Sequence, residues 1–238
     1  ALAIGSTDNL MWERDEKNDS FKASLSFEIE DGEEKELVLY GAVNLESDGA
    51  GTTSVDLRRR GWASLFEDTE NFLKSRRVYF EDSSLEALLN RNLFFCYFYS
   101  LGRSLDGEKL VAVTSRSPRY YVSAAFWSRD TLLWAFPAIL MADLETAREL
   151  ILTVFKRHIK NAGDHAHYRD GSLLYPGFEL DELAAYCLAL ERYLTKSGDE
   201  NLLGEEAIQY GLNILANKAL EHFDPHSGLY STFLDPSD

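Results

Sequence analysis

Phe126-Trp127-Ser128-Arg129-Asp130-Thr131-Leu132-Leu133-Trp134-Ala135-Phe136-Pro137-Ala138-Ile139-Leu140-Met141 is the stretch on which the reading of this chain turns. From Asp130 to Met141 almost every residue is apolar, which predicts a short helix covered on most sides. Asp143 follows as a predicted N-cap. It opens an amphipathic helix with Leu144, Ala147, Ile151, Val154, Phe155 and His158 on one face, ended by Asn161-Ala162-Gly163. The pattern then recurs. A helix over 181–196 carries Leu183, Ala184, Cys187, Leu190 and Leu194 on one side and stops at Gly198, and another over 203–222 is broken by Asp224-Pro225. Inner and outer helices therefore alternate. Asp130, Asp181 and Asp235 each stand where an inner helix begins or should begin, 51 and 54 residues apart by subtraction of their numbers. Helical hairpins repeating at that period predict a ring or solenoid, and a closed ring of six would need roughly 300 residues. The expectation is two full hairpins and the lead-in to a third, a ring left incomplete at its C-terminal side.

Upstream the period changes. Phe21, Ala23, Leu25, Phe27 and Ile29 alternate with polar residues, which predicts a strand with one buried face. Asp31-Gly32 predicts a turn, Leu37–Val43 a second strand, and 47–53, with Gly49 and Gly51, a loop. A helical pattern covers 62–73, and a longer one runs from about residue 84 through Leu85, Leu88, Leu89, Phe95, Cys96 and Tyr99 to Gly102, a candidate cap. Residues 106–118 are expected to form a loop or short hairpin. The fold class expected is α+β: a β-rich segment over 1–82, part of a β-sandwich, then an incomplete (α/α)6 toroid over 83–238.

Composition narrows the partners. The 238 residues carry 24 Lys and Arg against 40 Asp and Glu, a net charge of −16, which repels nucleic acid and anionic membranes. The Arg58-Arg59-Arg60 cluster is too small to change this and reads as a solvated or ion-paired stretch. No run of about 18 apolar residues is present, so no membrane span is expected. The chain starts at Ala1 rather than methionine, so the lack of a leader pattern says little about compartment. Cys96 and Cys187, each in an apolar helical pattern, read as buried free thiols, which points to a reducing, cytoplasmic setting. The 14 Phe, 12 Tyr and 4 Trp serve a core and also offer faces to sugar rings.

Phe126-Trp127-Ser128-Arg129-Asp130-Thr131 resembles the aromatic-Trp-Thr/Ser-Arg-Asp motif of glucoamylases and the archaeal-type glycogen debranching enzymes, in which it opens an early inner helix of the toroid. The resemblance implies that Arg129 and Asp130 bind hydroxyls of the sugar in the −1 subsite and that Trp127 packs beside it. The residues make chemical sense alone. A sugar hydroxyl both donates and accepts, and an Arg–carboxylate pair at a helix N-terminus offers both partners. One hairpin later, Tyr175-Pro176-Gly177-Phe178-Glu179-Leu180-Asp181-Glu182 resembles the aromatic residues followed by Leu-Asp-Glu in several six-hairpin glycosidases. It offers Tyr175 and Phe178 as platforms, with Asp181 as a catalytic and Glu182 as a sugar-binding candidate. Plain capping accounts for these carboxylates equally well. Helix geometry keeps Asp181 and Glu182 from facing the same way. The segment from Gly228 to Asp238 loosely resembles the loop that carries the general acid in trehalase relatives, which nominates Asp235 and then Asp238; Pro236 departs from the aromatic usually found there.

Glycoside hydrolysis needs two carboxylates, and the resemblance puts the second beyond Asp238. The function expected is inverting, exo-acting hydrolysis of α-linked gluco- or manno-oligosaccharides, with the piece in hand inactive and prone to self-association through exposed inner helices. His165-Ala166-His167 would share a face on a strand. No Cys or further His pair completes zinc-like spacing, so no metal is expected and His165 is assigned to the cleft mouth. No G-x-G-x-x-G, Walker or G-x-S-x-G sequence occurs, so no nucleotide cofactor and no serine nucleophile are expected. Two other readings stand beside hydrolysis: a sugar epimerase using His165 and His167 for proton transfer, and a sugar-binding or structural piece without activity.

Overall fold

The computed structural model describes residues 1–107, 109–114, 116 and 125–233. The chain is a mixture of helices and small antiparallel ribbons and divides into two compact units, Ala1–Ser75 and Arg76–Asp238. The change of sequence period predicts that division at 82/83.

In the first unit β1 (Leu2–Ser6) pairs with β4 (Leu39–Val43), and β2 (Met11–Asp15) pairs with β3 (Ser20–Ser24), each as a two-stranded antiparallel ribbon. The strand expected over 21–29 ends at Ser24. Its apolar face is not covered, for Phe21 is 69% exposed and Ile29 51%. An alternating pattern specifies a strand only where another layer buries one face. The loop expected over 47–53 is also corrected, because helix α1 spans Ser47–Arg60. Asp48 in its first turn and Arg58, Arg59 and Arg60 in its last complement the helix dipole, and Gly61, at φ 79°, closes it with N–H to the Leu57 carbonyl. Small Ala50 and Ser54 let α1 approach the β1–β4 ribbon, where the Ser54 hydroxyl donates to the Tyr40 carbonyl at 3.2 Å. Helix α2 (Trp62–Arg76) has no buried residue.

The second unit opens with α3 (Ser83–Ser100), whose N-cap Asp82 accepts from the backbone of Ser84 and Leu85. Gly102 does not cap it but sits in β5 (Leu101–Arg103), paired with β6 (Leu110–Ala112). A π-helical turn, Arg129–Ala135, runs straight into α4 (Phe136–Ala142). The predicted cap is present: Asp143 Oδ1 accepts from Thr146 N at 3.0 Å and opens α5 (Leu144–Arg157). The β7 (Asp164–His167) and β8 (Leu173–Phe178) hairpin leads into α6 (Leu180–Ser197), closed by Gly198 in the left-handed region, then α7 (Glu206–Glu221) and the short β9 (Phe223–Asp224) and β10 (Leu229–Tyr230) ribbon. The π turn and α4 pack on α6, and α5 packs on α7. Phe126, Leu132, Phe136, Ile139, Leu150, Phe155 and Tyr186 fill the core between them. Both cysteines are free, but neither is buried, and Cys187 is exposed. The covered face of α6 runs through Glu182, Ala185, Tyr186, Ala189 and Tyr193, which turns Cys187 outward. Among the described residues no helix is long and apolar enough to cross a membrane.

Candidate functional site

The decisive stretch is wound in an unusual way. Pro137 has no N–H, so the Leu133 carbonyl loses its helical donor. Arg192 on α6 supplies one instead, donating to that carbonyl at 3.3 Å. One turn earlier the Phe136 N–H reaches back five residues to the Thr131 carbonyl. Such π turns recur at functional sites. Just before the turn, Phe126 and His167 exchange backbone hydrogen bonds of 2.9 Å in both directions, which lays the Trp127 loop along β7.

That pairing assembles a relay of side chains. Trp127 donates its indole N–H to His165 Nε2 at 3.3 Å, so Nε2 is the unprotonated nitrogen and Nδ1 carries the hydrogen. His165 Nδ1 in turn donates to Glu179 Oε1. The other oxygen of Glu179 accepts from Arg129 Nη1 at 2.7 Å, and the same Nη1 donates to Asp181 at 3.0 Å. Asp130 stands 3.8 Å from Arg129 Nε and makes a looser pair. Burial works against charge on the guanidinium, but the ring of carboxylates outweighs it, and Arg129 holds its proton more tightly than an ordinary arginine. Burial raises the Asp130 carboxyl above the usual range, while Arg129 pulls the other way. The solvent side of this cluster is formed by Asp130, Asp181 and His165, each partly exposed, with Tyr175 half exposed beside the imidazole at a ring distance of 6.1 Å.

Beneath the cluster lies Glu182, wholly buried. Its Oε2 accepts from the Arg129 backbone N–H at 2.8 Å and touches the Ser128 hydroxyl, which also lies 2.8 Å from the Glu182 carbonyl. Burial pushes its carboxyl up to about 8 against the pull of these bonds. Glu182 therefore faces away from any ligand, while Asp181 on the neighbouring position reaches the solvent side, as helix geometry requires.

The two imidazoles expected to share a face do not. Register irregularities in β7 re-aim its side chains. His167 turns into the core, stacked on His158 with ring centroids 5.4 Å apart, while His158 lies flat against Phe126. His167 Nε2 donates to the Asn161 carbonyl at 2.8 Å, so the hydrogen in its 3.3 Å contact with His158 comes from His158 Nδ1. Burial pulls both below the usual histidine range, His158 to about 3.

The structure thus gathers Trp127, Arg129, Asp130, His165, Tyr175 and Asp181 at one place. Trp127 is buried with its N–H committed to His165. Phe178 is next to the cluster, but His222 covers one face of its ring at a centroid distance of 3.5 Å. Asp235 and Asp238 lie outside the described residues. Glu179, the residue that ties His165 to Arg129, stands inside the Tyr175–Glu182 stretch with no role legible in the sequence, because its partners are distant in sequence and leave no local signal. The same holds for Ser128. Among the described residues no three His, Cys, Asp or Glu side chains are placed to hold a metal ion. The chain matches no family model, no curated protein and no solved structure.

Proposed function

We propose that this cluster is one wall of a sugar-binding site in a glycoside hydrolase acting on neutral, α-linked gluco- or manno-oligosaccharides. The observation that carries the reading is the joining of the Trp127–His165–Glu179–Arg129–Asp181 relay to a half-exposed tyrosine and the partly exposed Asp130. Such a surface donates and accepts at fixed positions and presents an apolar ring face, which is what a pyranose with its hydroxyls and C–H face requires. Asp181 and Asp130 are the described carboxylates placed to meet the sugar, and inverting hydrolysis needs two, about 6.5–9.5 Å apart, with Asp235 and Asp238 the other candidates. The fold that goes with this reading is an (α/α)6 toroid, behind ribbons that belong to a β-sandwich. Support for the toroid comes from inner element on inner element and α5 on α7 across successive hairpins. An epimerase is disfavoured, because His165 and His167 do not converge on one site.

Maltotriose and mannobiose titrated onto the chain, followed by ligand-observed NMR, test this. Saturation transfer to the sugar, lost in Arg129→Ala and in Asp130→Ala, is the expected result. Appearance of the inverted anomer would add turnover, and binding without turnover would favour the non-catalytic reading. Transfer undiminished in both variants would remove the site assignment.

A further inference from the structure

Four buried polar atoms lack a hydrogen-bond partner among the described residues: Arg129 Nε, Thr131 Oγ1, Glu182 Oε1 and Tyr186 OH. Two of the four residues lie at the start of the π turn, and the other two are one helical turn apart on α6, facing it. Buried polar groups are rarely left unpaired, so this concentration marks a place where protons matter.

Counting protons locates one. Ser128 Oγ sits within hydrogen-bond distance of two oxygens, Glu182 Oε2 and the Glu182 carbonyl. The hydroxyl has one hydrogen, and a backbone carbonyl can only accept. If Glu182 were a carboxylate, one of these oxygen–oxygen contacts would have no hydrogen in it. A proton on the carboxyl supplies it: Ser128 donates to the carbonyl, Glu182 donates to Ser128, and the Arg129 N–H still has its acceptor. Among the charges around Glu182, Arg129 attracts a negative charge more strongly than Glu179 opposes it, and the bonds from Ser128 and the Arg129 N–H also favour the carboxylate, so burial has to outweigh them all. The absence of solvent then decides for the neutral acid.

We propose that Glu182 is a positioning residue, held as a neutral acid, which clamps Ser128 and the Arg129 backbone to α6 and leaves the Arg129 guanidinium to Glu179 and Asp181 at the mouth. Its importance for sugar binding rests on the function proposed above; the clamp itself does not. Ionised, Glu182 becomes one more carboxylate behind Arg129, 3.8 Å from Nη2, and draws the guanidinium inward. The mouth then loses the donor that faces its carboxylates. The elevated titration of Glu182, about 8, puts this change just above neutrality.

Carbon-detected NMR of the chain, with labelled glutamate and arginine side chains, reads both ends of the clamp without any ligand. The Glu182 carboxyl carbon is expected to titrate near pH 8, and the Arg129 Nε and Cζ signals are expected to move with the same midpoint. In Glu182→Gln, neutral at every pH, the Arg129 signals should keep their low-pH positions throughout. A carboxyl that titrates below pH 5, or Arg129 signals that ignore its titration, would overturn the clamp. Maltotriose affinity measured on the same samples separates the two proposals. A fall of roughly tenfold between pH 6.5 and 9 in the unaltered chain, about one hydrogen bond's worth, with none in Glu182→Gln, joins the clamp to the sugar site. No maltotriose affinity at any pH, with Arg129 still following Glu182, keeps the clamp and overturns the sugar reading.

Discussion

The two units of this chain hold comparable kinds of residue and use them differently. In residues 1–75 the apolar side chains that alternate along the sequence end up at the surface: Phe21, Phe27 and Ile29 are all exposed, and the buried apolar residues are Tyr40, Ala42 and Ala50. In residues 76–238 the central helices bury theirs, with Phe136, Ile139, Ile151 and Tyr186 at zero exposure, although Leu85, Leu88, Phe95 and Tyr99 on α3 stay exposed. A two-stranded ribbon has one neighbour and no second layer, whereas each central helix here has helices on several sides. The second unit therefore carries the strong packing, and with it the buried charged and polar groups that a dense core can hold in place.

The largest effect that follows is Phe136→Ala, which removes a fully buried ring and should cost about 3–5 kcal/mol. Phe21→Ala removes a ring of the same size that is 69% exposed and should stay within about 0.5 kcal/mol. Urea titration followed by segment-resolved hydrogen exchange would read both. Equal costs would mean that the ribbons of the first unit are covered in solution, and the contrast between the units would fail.

The second effect is the response to pH, and it belongs to the second unit. His158 and His167 are buried neutral and titrate below the unfolded value, so the unfolded chain takes up protons that the fold refuses. Their contribution is intact above about pH 6.5 and is lost as pH falls, for His158 at roughly 1.4 kcal/mol per pH unit down to about 3. Glu182 has the opposite sign. Its folded value is raised from 4.5 to about 8, so its contribution is intact below 4.5 and declines as pH rises to 8. Below 6.5 the raised carboxyls of Glu182 and Asp130 oppose the two histidines, and above it only the carboxyl decline remains, so stability should fall from about pH 6.5 toward 8. In the first unit the one resolved shift is that of Asp15, an exposed carboxylate lowered by its bonds to Asn18, and little pH dependence is expected there. Thermal melts across pH 4–9 check this. An alkaline decline that persists in Glu182→Gln would remove Glu182 as its source.

What the sequence disclosed follows the same division. The helices from Asp130 to Glu221 were legible because period, N-cap and terminating glycine agree at Asp143 and at Gly198. The candidate mouth was legible in outline, since Arg129, Asp130 and Asp181 lie at helix entrances that the same signals mark. Its wiring was not. Glu179 meets His165 across a hairpin, and Glu182 meets Ser128 across two helices; such contacts depend on tertiary placement and have no local pattern. The irregular register of β7, which parts His165 from His167, is equally invisible in a period of two. In the first unit the alternation over 21–29 extends beyond the strand, which ends at Ser24, because alternation says nothing about whether a second layer exists.

Helix α1 is masked in the sequence because Gly49 and Gly51 read as loop residues, and a comparison of two glycines is the smallest test. Gly51 lies within α1 with nothing within 4 Å of where a Cβ would stand, so its backbone freedom is a pure cost to the helix. Gly51→Ala should stabilise the first unit by about 0.5–1 kcal/mol. Gly211 in α7 carries the same intrinsic penalty but answers a need: a Cβ there would stand 2.4 Å from the Phe155 ring, and the missing side chain is what lets α7 lie close on α5. Alanine gains about 1 kcal/mol of helix propensity at that position and loses about 1–3 kcal/mol to overpacking, so Gly211→Ala should be neutral to destabilising. The two substitutions are chemically identical, and opposite signs in chemical denaturation would show that packing density, not propensity, separates the units. A stabilising Gly211→Ala would place slack in the α5–α7 contact where the structure has none.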